Sequence, residues 1–455
     1  MNRYANVLTV LTIVSLLFLY SCTDEEIKKI PEEPVEPVPL PSNACAADVT
    51  YGYCNRMSYF PGEQVTAYLQ GKTTVPTCAL TIYDLAGDSI FSVPAGLKVQ
   101  AIASNDPSRN GYGFLPSAEF AIPADLKSGV YTIENKIPFI VKPKADVDVL
   151  VVYPSNTANA YATSGGKSLY TTDRPPEVSF HRPIDIQHFS RYCLNWFHTL
   201  PDISVGYITD ADMDDYSNIS LGKVLCLVGH NEYWTRQARM NFDQFVASGN
   251  NAIILSGNMM WWQVRYSDDD DRSKLVCYKS FENDPVADPL LKTALWNTDA
   301  LQYPIISSIG ADFDHGGYGL KSDEGWNGYK ITNASSPLLE GTGLSTGDII
   351  ACPTTEYDGA PIAGWDENGY PILDIETMNV YKAELVGYDI GFRVTKTYPT
   401  FVVLQQSITS GIIVNAASTD WCSVNGMGGT SGQQIKTITH NAVFKLLNNE
   451  PVFTP

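Results

Sequence analysis

The sequence has few basic residues for its length, and this shortage limits the partners that it can bind. Its 455 residues include 30 Lys and Arg against 50 Asp and Glu, which gives a formal net charge of -20. Nucleic acids and anionic lipid surfaces are bound mainly through clustered positive charge. The composition leaves room for a local basic patch, but it predicts no nucleic-acid partner.

Motifs of several common sites are also absent or incomplete. No CxxC pair and no His/Cys cluster with zinc spacing occurs, so we expect no structural zinc. Ser256-Gly257 alone is weak evidence for a serine nucleophile. Gly165-Gly166-Lys167-Ser168 lacks the first glycine of a phosphate-binding loop, because Tyr161 stands at that position.

Long apolar runs are scarce, and the one near the N-terminus predicts where the protein resides. Residues 7–20 are too short for a typical membrane span but have the length of a signal-peptide apolar region. With the following Ser21-Cys22 they resemble a bacterial lipoprotein signal peptide, residues 1–21, whose Cys22 carries the lipid. Residues 22–44 are rich in Pro and Glu, which predicts an extended tether.

Thr23-Asp24-Glu25-Glu26 resembles the acidic signal that sends some lipoproteins of Gram-negative bacteria to the cell surface. We therefore expect an outer-membrane lipoprotein exposed at the cell surface, with the periplasmic side as the alternative. Export permits disulfides. One bridge is expected among Cys45, Cys54 and Cys78, whereas Cys193 and Cys226 lie in apolar runs and are expected to be buried thiols.

Two patterns divide the rest of the chain. Short strands separated by turns predict an immunoglobulin-like β-sandwich over residues 45–144. From residue 145 to 455, apolar strands alternate with helical segments, beginning with the nearly continuous apolar run Val147–Tyr153. This second pattern predicts an α/β domain with a doubly wound parallel sheet and long insertions.

The end of one predicted strand carries the strongest indication of a site. The strand at residues 224–228 breaks at Gly229 and is followed by His230, Asn231, Glu232, Tyr233 and Trp234. Ligands bind at the carboxyl ends of strands in an open α/β sheet, because the loops there open into a crevice. His230 and Glu232, with His315 from a later loop, are the candidates for proton transfer.

Tyrosines and further carboxylates are expected near the same strand ends. They lie at Tyr161, Tyr192, 312–318, 356–358 and Asp420. Phenolate and carboxylate oxygens are hard ligands that suit an oxidised metal such as Fe(III), which acts as a Lewis acid and lowers the pKa of a bound water. For Tyr192 the alternative is a core position, since Trp196 lies one helical turn away.

Several stretches resemble the large-subunit domain of N,N-dimethylformamidase over roughly residues 146–448. They are residues 154–170, the His-x-Glu-Tyr-Trp-Thr element at 230–235, residues 249–258 and residues 411–441. The resemblance implies a glutamine-amidotransferase-like (flavodoxin-like) α/β fold. It also implies a mononuclear iron, held by two tyrosines and one glutamate, that activates water to hydrolyse an amide.

The resemblance assigns two of the three metal ligands. Tyr233 matches one tyrosine, and Tyr192 lies where the other is expected. The carboxylate should follow the fourth strand of the sheet, where Glu282 and Asp314 are the preferred candidates and Asp284 and Asp288 the alternatives. Loss of the third ligand is the remaining alternative.

Two functions fit these observations. The first is a surface-tethered, metal-dependent hydrolase of amide-type C–N bonds in a small molecule. The second is a protein without catalysis that binds glycan or peptide through aromatic side chains, for which the candidates are Trp234, Trp261, Trp262, Trp326 and Tyr318. Metal content and amide turnover distinguish the two.

Overall fold

The computed structural model describes residues 40–267 and 272–455. The predicted signal peptide, Cys22 and most of the predicted tether lie outside these residues and stay predictions. No helix within the described ranges is long and apolar enough to cross a membrane. Leu40–Pro455 belongs to one compact unit, and the predicted domain boundary at residue 144 stays a prediction.

Two sheets around a shared core form the N-terminal β-region, residues 45–141. One sheet has the order β1-β3-β6 and the other β2-β8-β7-β4-β5. Alternate residues of β3, including Val65 and Leu69, face Leu80 and Phe139 of the second sheet. The elements are β1 (Val49–Cys54), β2 (Ser58–Tyr59), β3 (Gln64–Gly71), β4 (Val75–Asp84), β5 (Ser89–Leu97), β6 (Ala118–Ala121), β7 (Gly129–Ile133), β8 (Ile137–Val141) and α1 (Pro107–Asn110).

The expectation of one disulfide among the first three cysteines is confirmed. Cys45 and Cys78 are bonded, which ties the segment before β1 to β4. Cys54, Cys193 and Cys226 are buried thiols. The all-β character of this region is as predicted, while its assignment to the immunoglobulin-like class stays a prediction.

The second part of the chain contains the remaining strands and helices. The strands are β9 (Val147–Tyr153), β10 (Glu177–Ser179), β11 (Val205–Thr209), β12 (Gly222–His230), β13 (Tyr233–Thr235), β14 (Asn251–Gly257), β15 (Trp262–Tyr266), β16 (Lys274–Val276), β17 (Gly317–Tyr318), β18 (Gly328–Ile331), β19 (Ile349–Ala351), β20 (Glu356–Gly359), β21 (Ile362–Trp365), β22 (Pro371–Leu373), β23 (Lys382–Tyr388), β24 (Gly391–Phe392), β25 (Lys396–Thr397), β26 (Thr400–Gln405) and β27 (Ile412–Asn415). The α-helices are α2 (Ser155–Tyr161), α3 (Arg191–His198), α4 (Tyr216–Ile219), α5 (Arg236–Ala247), α6 (Ile306–Ile309), α7 (Phe313–Gly316), α8 (Ile375–Met378) and α9 (Gly432–Leu447), and short 3₁₀ turns cover Asp210–Asp214, Pro289–Leu291 and Pro337–Leu339.

A nine-stranded mixed sheet organises this part, in the order β11-β9-β12-β14-β27-β26-β23-β18-β19. The strands from β11 to β27 run parallel, and those from β26 to β19 are antiparallel to their neighbours. The predicted α/β class is therefore confirmed, but the sheet is only partly parallel. The antiparallel half was missed because its strands are separated by the long irregular segments between residues 260 and 400.

Helices cover both faces of the parallel strands. Val149 and Val151 of β9 pack with α3 and α9, whereas Leu150 and Val152 face the side of α4 and α5. This alternation explains why the strand is apolar at nearly every position. The spacing of apolar residues over 184–199 predicts one helix, but α3 begins only at Arg191. The backbone of residues 185 and 187 bonds the Tyr153 hydroxyl instead.

The N-terminal β-region packs against the edge of the sheet through polar contacts. The Lys142 ammonium lies 3.0 Å from the Asp212 carboxylate, and the Ser58 hydroxyl donates to the same carboxylate. The Tyr207 amide donates to Ser128. A groove of about 1140 Å³ lies at this junction, lined by Tyr131 and Tyr207 among others.

Asp284 anchors the long segment between β16 and α6. It is buried and accepts bonds from both terminal nitrogens of Arg265, at 2.5 and 2.9 Å, and from the amide and hydroxyl of Thr293. Burial alone would raise the pKa of Asp284, but these bonds outweigh it and lower the pKa to about 2. The ionised form is therefore the one that stabilises the fold.

We predict that Asp284→Asn lowers the free energy of unfolding by about 2–4 kcal/mol at neutral pH. Because the folded pKa is depressed, this contribution is complete above the unfolded pKa of about 4 and is lost as pH falls through about 2. Urea unfolding of both proteins between pH 7 and pH 2 measures it. Asp288→Asn, which keeps the exposed cap bond to Leu290 because an amide oxygen also accepts it, is the control and should cost less than about 0.5 kcal/mol. A difference between Asp284→Asn and wild type that did not shrink with acid would contradict the assignment.

Candidate functional site

The site begins at the end of β12, where the backbone turns sharply. Gly229 has a φ of 77°, and a Cβ at this position would overlap the Ser190 hydroxyl, so only glycine fits. The turn buries His230 and Glu232, and the Glu232 amide donates to the Thr157 hydroxyl at 2.9 Å. The strand end therefore presents both side chains on a fixed backbone.

Two tyrosine hydroxyls converge on the Glu232 carboxylate. Tyr161 donates to Oε2 at 2.9 Å, and Tyr170 lies 2.6 Å from Oε1 and 2.8 Å from Oε2. The two rings stack with their centroids 4.2 Å apart. Tyr161 and Tyr170 remain 36% and 47% exposed, so their rings border the opening of the site. These three residues form the tyrosine–glutamate cluster.

A second carboxylate lies on the other side of His230. The Nε2 atom of His230 is 3.2 Å from Glu356 Oε2 and 3.4 Å from Glu232 Oε2. The amide nitrogen of Asn258 donates to Glu356 Oε2 at 2.9 Å. Glu356 begins β20 and Asn258 follows β14, so side chains from three strand ends meet here.

Burial is the main influence on the ionisable groups of the site. It raises the pKa values of Tyr161, Tyr170 and Glu232, and the negative charge of Glu232 raises those of the tyrosines further. For His230, burial lowers the pKa, but the bond and charge of Glu356 outweigh it and the pKa is raised. Burial also raises the pKa of Glu356, yet the His230 bond outweighs it and the pKa is lowered. His230 and Glu356 thus form an ion pair, and the phenols keep their protons in the absence of a cation.

The loop that carries both tyrosines is held from below by one buried arginine. The Arg182 guanidinium donates to the backbone carbonyls of Asn159, Ala162, Ser164 and Lys167, at distances from 2.6 to 3.2 Å. It is completely buried. Because four carbonyls of α2 and the following loop share this donor, the arginine sets the course of the chain between the two tyrosines.

The same loop rests on the N-terminal β-region. The Tyr112 hydroxyl accepts from the Gly165 amide at 3.1 Å. Gly165 has a φ of 84°, and a Cβ there would lie 2.6 Å from the Ser108 nitrogen. The adjacent Gly166 has a φ of 93°, but its Cβ would meet nothing within 4 Å. The tyrosine loop is therefore packed tightly against α1 at one glycine and is open at the next.

Residues 94–432 match the family described as N,N-dimethylformamidase beta subunit-like, C-terminal. The chain belongs to this family. The match confirms the resemblance drawn from the sequence, and it begins inside β5, earlier than the predicted domain boundary. No curated protein matches the chain.

Solved structures add little to this assignment. A ThuA-like protein from Bacteroides uniformis is 11% identical, with 67% of this chain and 93% of that chain covered at a TM-score of 0.33. A beta-galactosidase from Bacillus circulans is 10% identical, with 64% of this chain and 31% of that chain covered at a TM-score of 0.30. Likeness at this level bears on neither function nor the detailed fold.

The site brings together only some of the residues expected from the sequence. His230 and Glu232 lie at its centre, and Tyr233 lies beside it, buried and near enough to Glu232 to feel its charge. Tyr192 does not join them, because it is on the outer side of α3, 42% exposed and against Gly428. It shares no hydrogen bond or ring contact with Tyr233 within the described residues.

The expected carboxylate ligands lie elsewhere as well. Glu282 is exposed and accepts a hydrogen bond from Ser280, while Asp314 is exposed and faces Arg393. His315 is exposed on α7, and its Nδ1 lies 2.7 Å from Asp312 Oδ1. None of the three contacts the tyrosine–glutamate cluster in the described part of the chain.

The tyrosine–glutamate cluster itself was not predicted as a set. Tyr170 was noticed only as part of the resemblance, and Glu232 was assigned to proton transfer. The sequence held one usable signal, since Tyr161 and Tyr170 flank the Gly165-Gly166 turn that folds them together. Among the described residues no group of three or more His, Cys, Asp or Glu is arranged to hold a metal.

We predict that Gly165→Ala disturbs the tyrosine loop far more than Gly166→Ala. Both changes strain a positive φ by about 1 kcal/mol, but only the first drives a methyl group into the backbone of residues 107 and 108. We expect the first to lower the free energy of unfolding by about 2–4 kcal/mol in urea titrations. Equal costs for the two variants would show that the loop does not depend on this contact.

Proposed function

We propose that this protein hydrolyses an amide-type C–N bond of a small molecule at a metal held by Tyr161, Tyr170 and Glu232. The observation that carries the proposal is the convergence of two phenol oxygens on one glutamate in a member of this family. The composition of the cluster is the one that the resemblance implies, two tyrosines and one glutamate. We further infer that the fold is of the glutamine-amidotransferase-like type.

The cluster has the chemistry that a hard cation requires. Each phenol oxygen lies 2.6 to 2.9 Å from an oxygen of the Glu232 carboxylate, so these three side chains would be the ones to hold the cation. The two phenol protons lie between these oxygens, so a cation would take their place. All donors are hard oxygens, which suits Fe(III) and disfavours soft metals.

The metal would supply Lewis acidity at the amide carbonyl and acidify a water molecule. The chain's own residues then have separate tasks. Before a cation binds, Glu232 orients the tyrosine oxygens by accepting both hydroxyls. His230 and Glu356 hold a proton between them, 3.2 Å apart, which can be passed to the departing amine. Asn258 keeps Glu356 turned towards His230.

The alternative of glycan or peptide binding has less support. Trp234 is completely buried and Trp261 is 5% exposed, so neither offers a face for stacking on a sugar. Trp262, Trp326 and Tyr318 are partly exposed but lie apart in the chain, on β15, in the loop before β18 and on β17. Binding without turnover is an outcome of the tests below and not a second proposal.

We predict that the purified protein binds iron and shows a tyrosinate-to-iron charge-transfer band. Tyr161→Phe, Tyr170→Phe and Glu232→Gln should each weaken iron binding by more than ~100-fold, because each removes one oxygen ligand. Metal analysis and visible absorption measure both properties. Tyr192→Phe is the matched control and should keep metal and colour. A wild-type protein that stays colourless and metal-free after iron loading would overturn the metal assignment.

We predict that Glu356→Gln keeps iron but loses turnover. The variant cannot share a proton with His230, and we expect kcat to fall by about 10²–10⁴ with little change in KM. Amine release from a library of small amides provides the assay. Glu282→Gln, which alters an exposed carboxylate outside the site, should behave as wild type. A Glu356→Gln variant with unaltered kcat would remove Glu356 from the mechanism.

A further inference from the structure

Lys279 places a positive charge at the opening of the site without an anionic partner. Its Nζ lies 3.6 Å from the centre of the Tyr170 ring, 4.9 Å from that of Trp262 and 5.3 Å from that of Tyr233. Within residues 40–267 and 272–455 the Lys279 ammonium makes no hydrogen bond or ion pair. The side chain is only partly buried, so a ligand entering past Tyr170 can reach the ammonium.

The neighbouring carboxylates do not pair with the Lys279 ammonium. Glu232 is bonded to Tyr161 and Tyr170, and Glu356 to His230 and Asn258. Burial lowers the pKa of Lys279, and the charges of Glu232 and Glu356 oppose that shift, although neither carboxylate contacts the ammonium. A lysine ammonium has three N–H donors and is strongly hydrated. Aromatic faces stabilise its charge but accept few of those bonds, so the donors are left for water or a ligand.

The backbone around Lys279 is fixed in an unusual conformation. Lys279 has a φ of 52°, in the left-handed region that a lysine seldom adopts. The residues on either side both bond to Thr293, through Tyr278 N to the hydroxyl and Ser280 N to the carbonyl. Thr293 is in turn bonded to the buried Asp284. The segment thus holds the lysine over the rings at a cost in backbone strain, as is common at binding sites.

A second lysine, Lys321, adds positive charge near the site. The Lys321 ammonium lies 3.4 Å from the centre of the Tyr318 ring, and its charge lowers the pKa of Glu356. The chain as a whole carries a net charge of -20. With Lys279 over Tyr170 and Lys321 near Glu356, the site of so acidic a protein would attract an anionic ligand.

We infer that the natural substrate is an amide that also carries a carboxylate, and that Lys279 binds this carboxylate beside the tyrosine–glutamate cluster. The inference rests on the proposed amide hydrolysis and names its substrate class. Neutral amides of the same size lack the group that satisfies the ammonium and are bound more weakly. Lys279 is thus a specificity residue, and the scissile bond lies at the cluster.

A matched pair of ligands tests the inference. N-acetylglycine and N-acetylglycinamide differ only in a carboxylate against a neutral amide. NMR titration of the full chain follows binding and any hydrolysis separately. We expect the carboxylate to bind at least ~10-fold more tightly, the effect of one charge-assisted contact. N-formylglycine and N-benzoylglycine, each with its amide, extend the comparison to smaller and larger acyl groups.

Variants of Lys279 test whether this side chain causes the preference for the carboxylate ligand. Lys279→Met should abolish the preference for the carboxylate, and Lys279→Arg should keep part of it. Lys382→Met is the control, since Lys382 also lies over a ring, that of Phe453 at 4.2 Å. Lys382 begins β23, where it is in register with Gln405 of β26, and it does not belong to the site. If Lys279→Met fails to fold, the wild-type protein still decides, because added salt should weaken binding of the carboxylate and not of the amide.

Equal affinity for the two ligands in every pair, or absence of binding by every carboxylate, would overturn the inference. So would a preference that survives in Lys279→Met. These outcomes are separate from failure of the proposed function, which shows as absence of iron and of amine release in the same preparation. A protein that binds carboxylates through Lys279 without iron would keep this inference and lose the metal.

Discussion

The site depends on the burial of one carboxylate, that of Glu232, at the end of a parallel strand. A carboxylate removed from water costs several kcal/mol unless hydrogen bonds replace its solvation. Tyr161 and Tyr170 provide those bonds, and their hydroxyls must therefore reach the strand end. That requirement sets the path of the loop between them, which Arg182 holds through four backbone carbonyls. The need of Glu232 for these bonds is thus also what gathers the oxygens that would hold a cation.

The N-terminal β-region is part of this arrangement. Gly165 packs on the backbone of α1, and Tyr112 bonds the Gly165 amide. The family match begins at residue 94, so it includes the later strands of this region. A module that served only as a spacer would have no need to contact the tyrosine loop. The two parts of the chain are better understood as one framework that supports the cluster from both sides.

Local signals made the strand end predictable, and distant contacts did not. The apolar run before Gly229 and the polar residues after it located the site, because both are properties of adjacent residues. The partners of Glu232 lie 71 and 62 residues earlier in the chain, and only a reversal at Gly165-Gly166 brings them together. Tyr192 was chosen for its place on a predicted helix. That helix begins later and turns the residue outwards, so the choice of tyrosine could not be made from spacing alone.

The charged groups at the centre of the site have partners, whereas the ammonium of Lys279 at its opening does not. Glu232, Glu356 and His230 each have charged or hydrogen-bonding partners within the described residues. Lys279 has only ring faces, although its backbone is held in a strained conformation at the opening. Strain persists only where the surroundings hold it in place, and here they do so through Asp284 and Thr293. The Lys279 ammonium is therefore held in place with its N–H donors free for a ligand. A carboxylate suits it, because it carries the opposite charge and accepts hydrogen bonds.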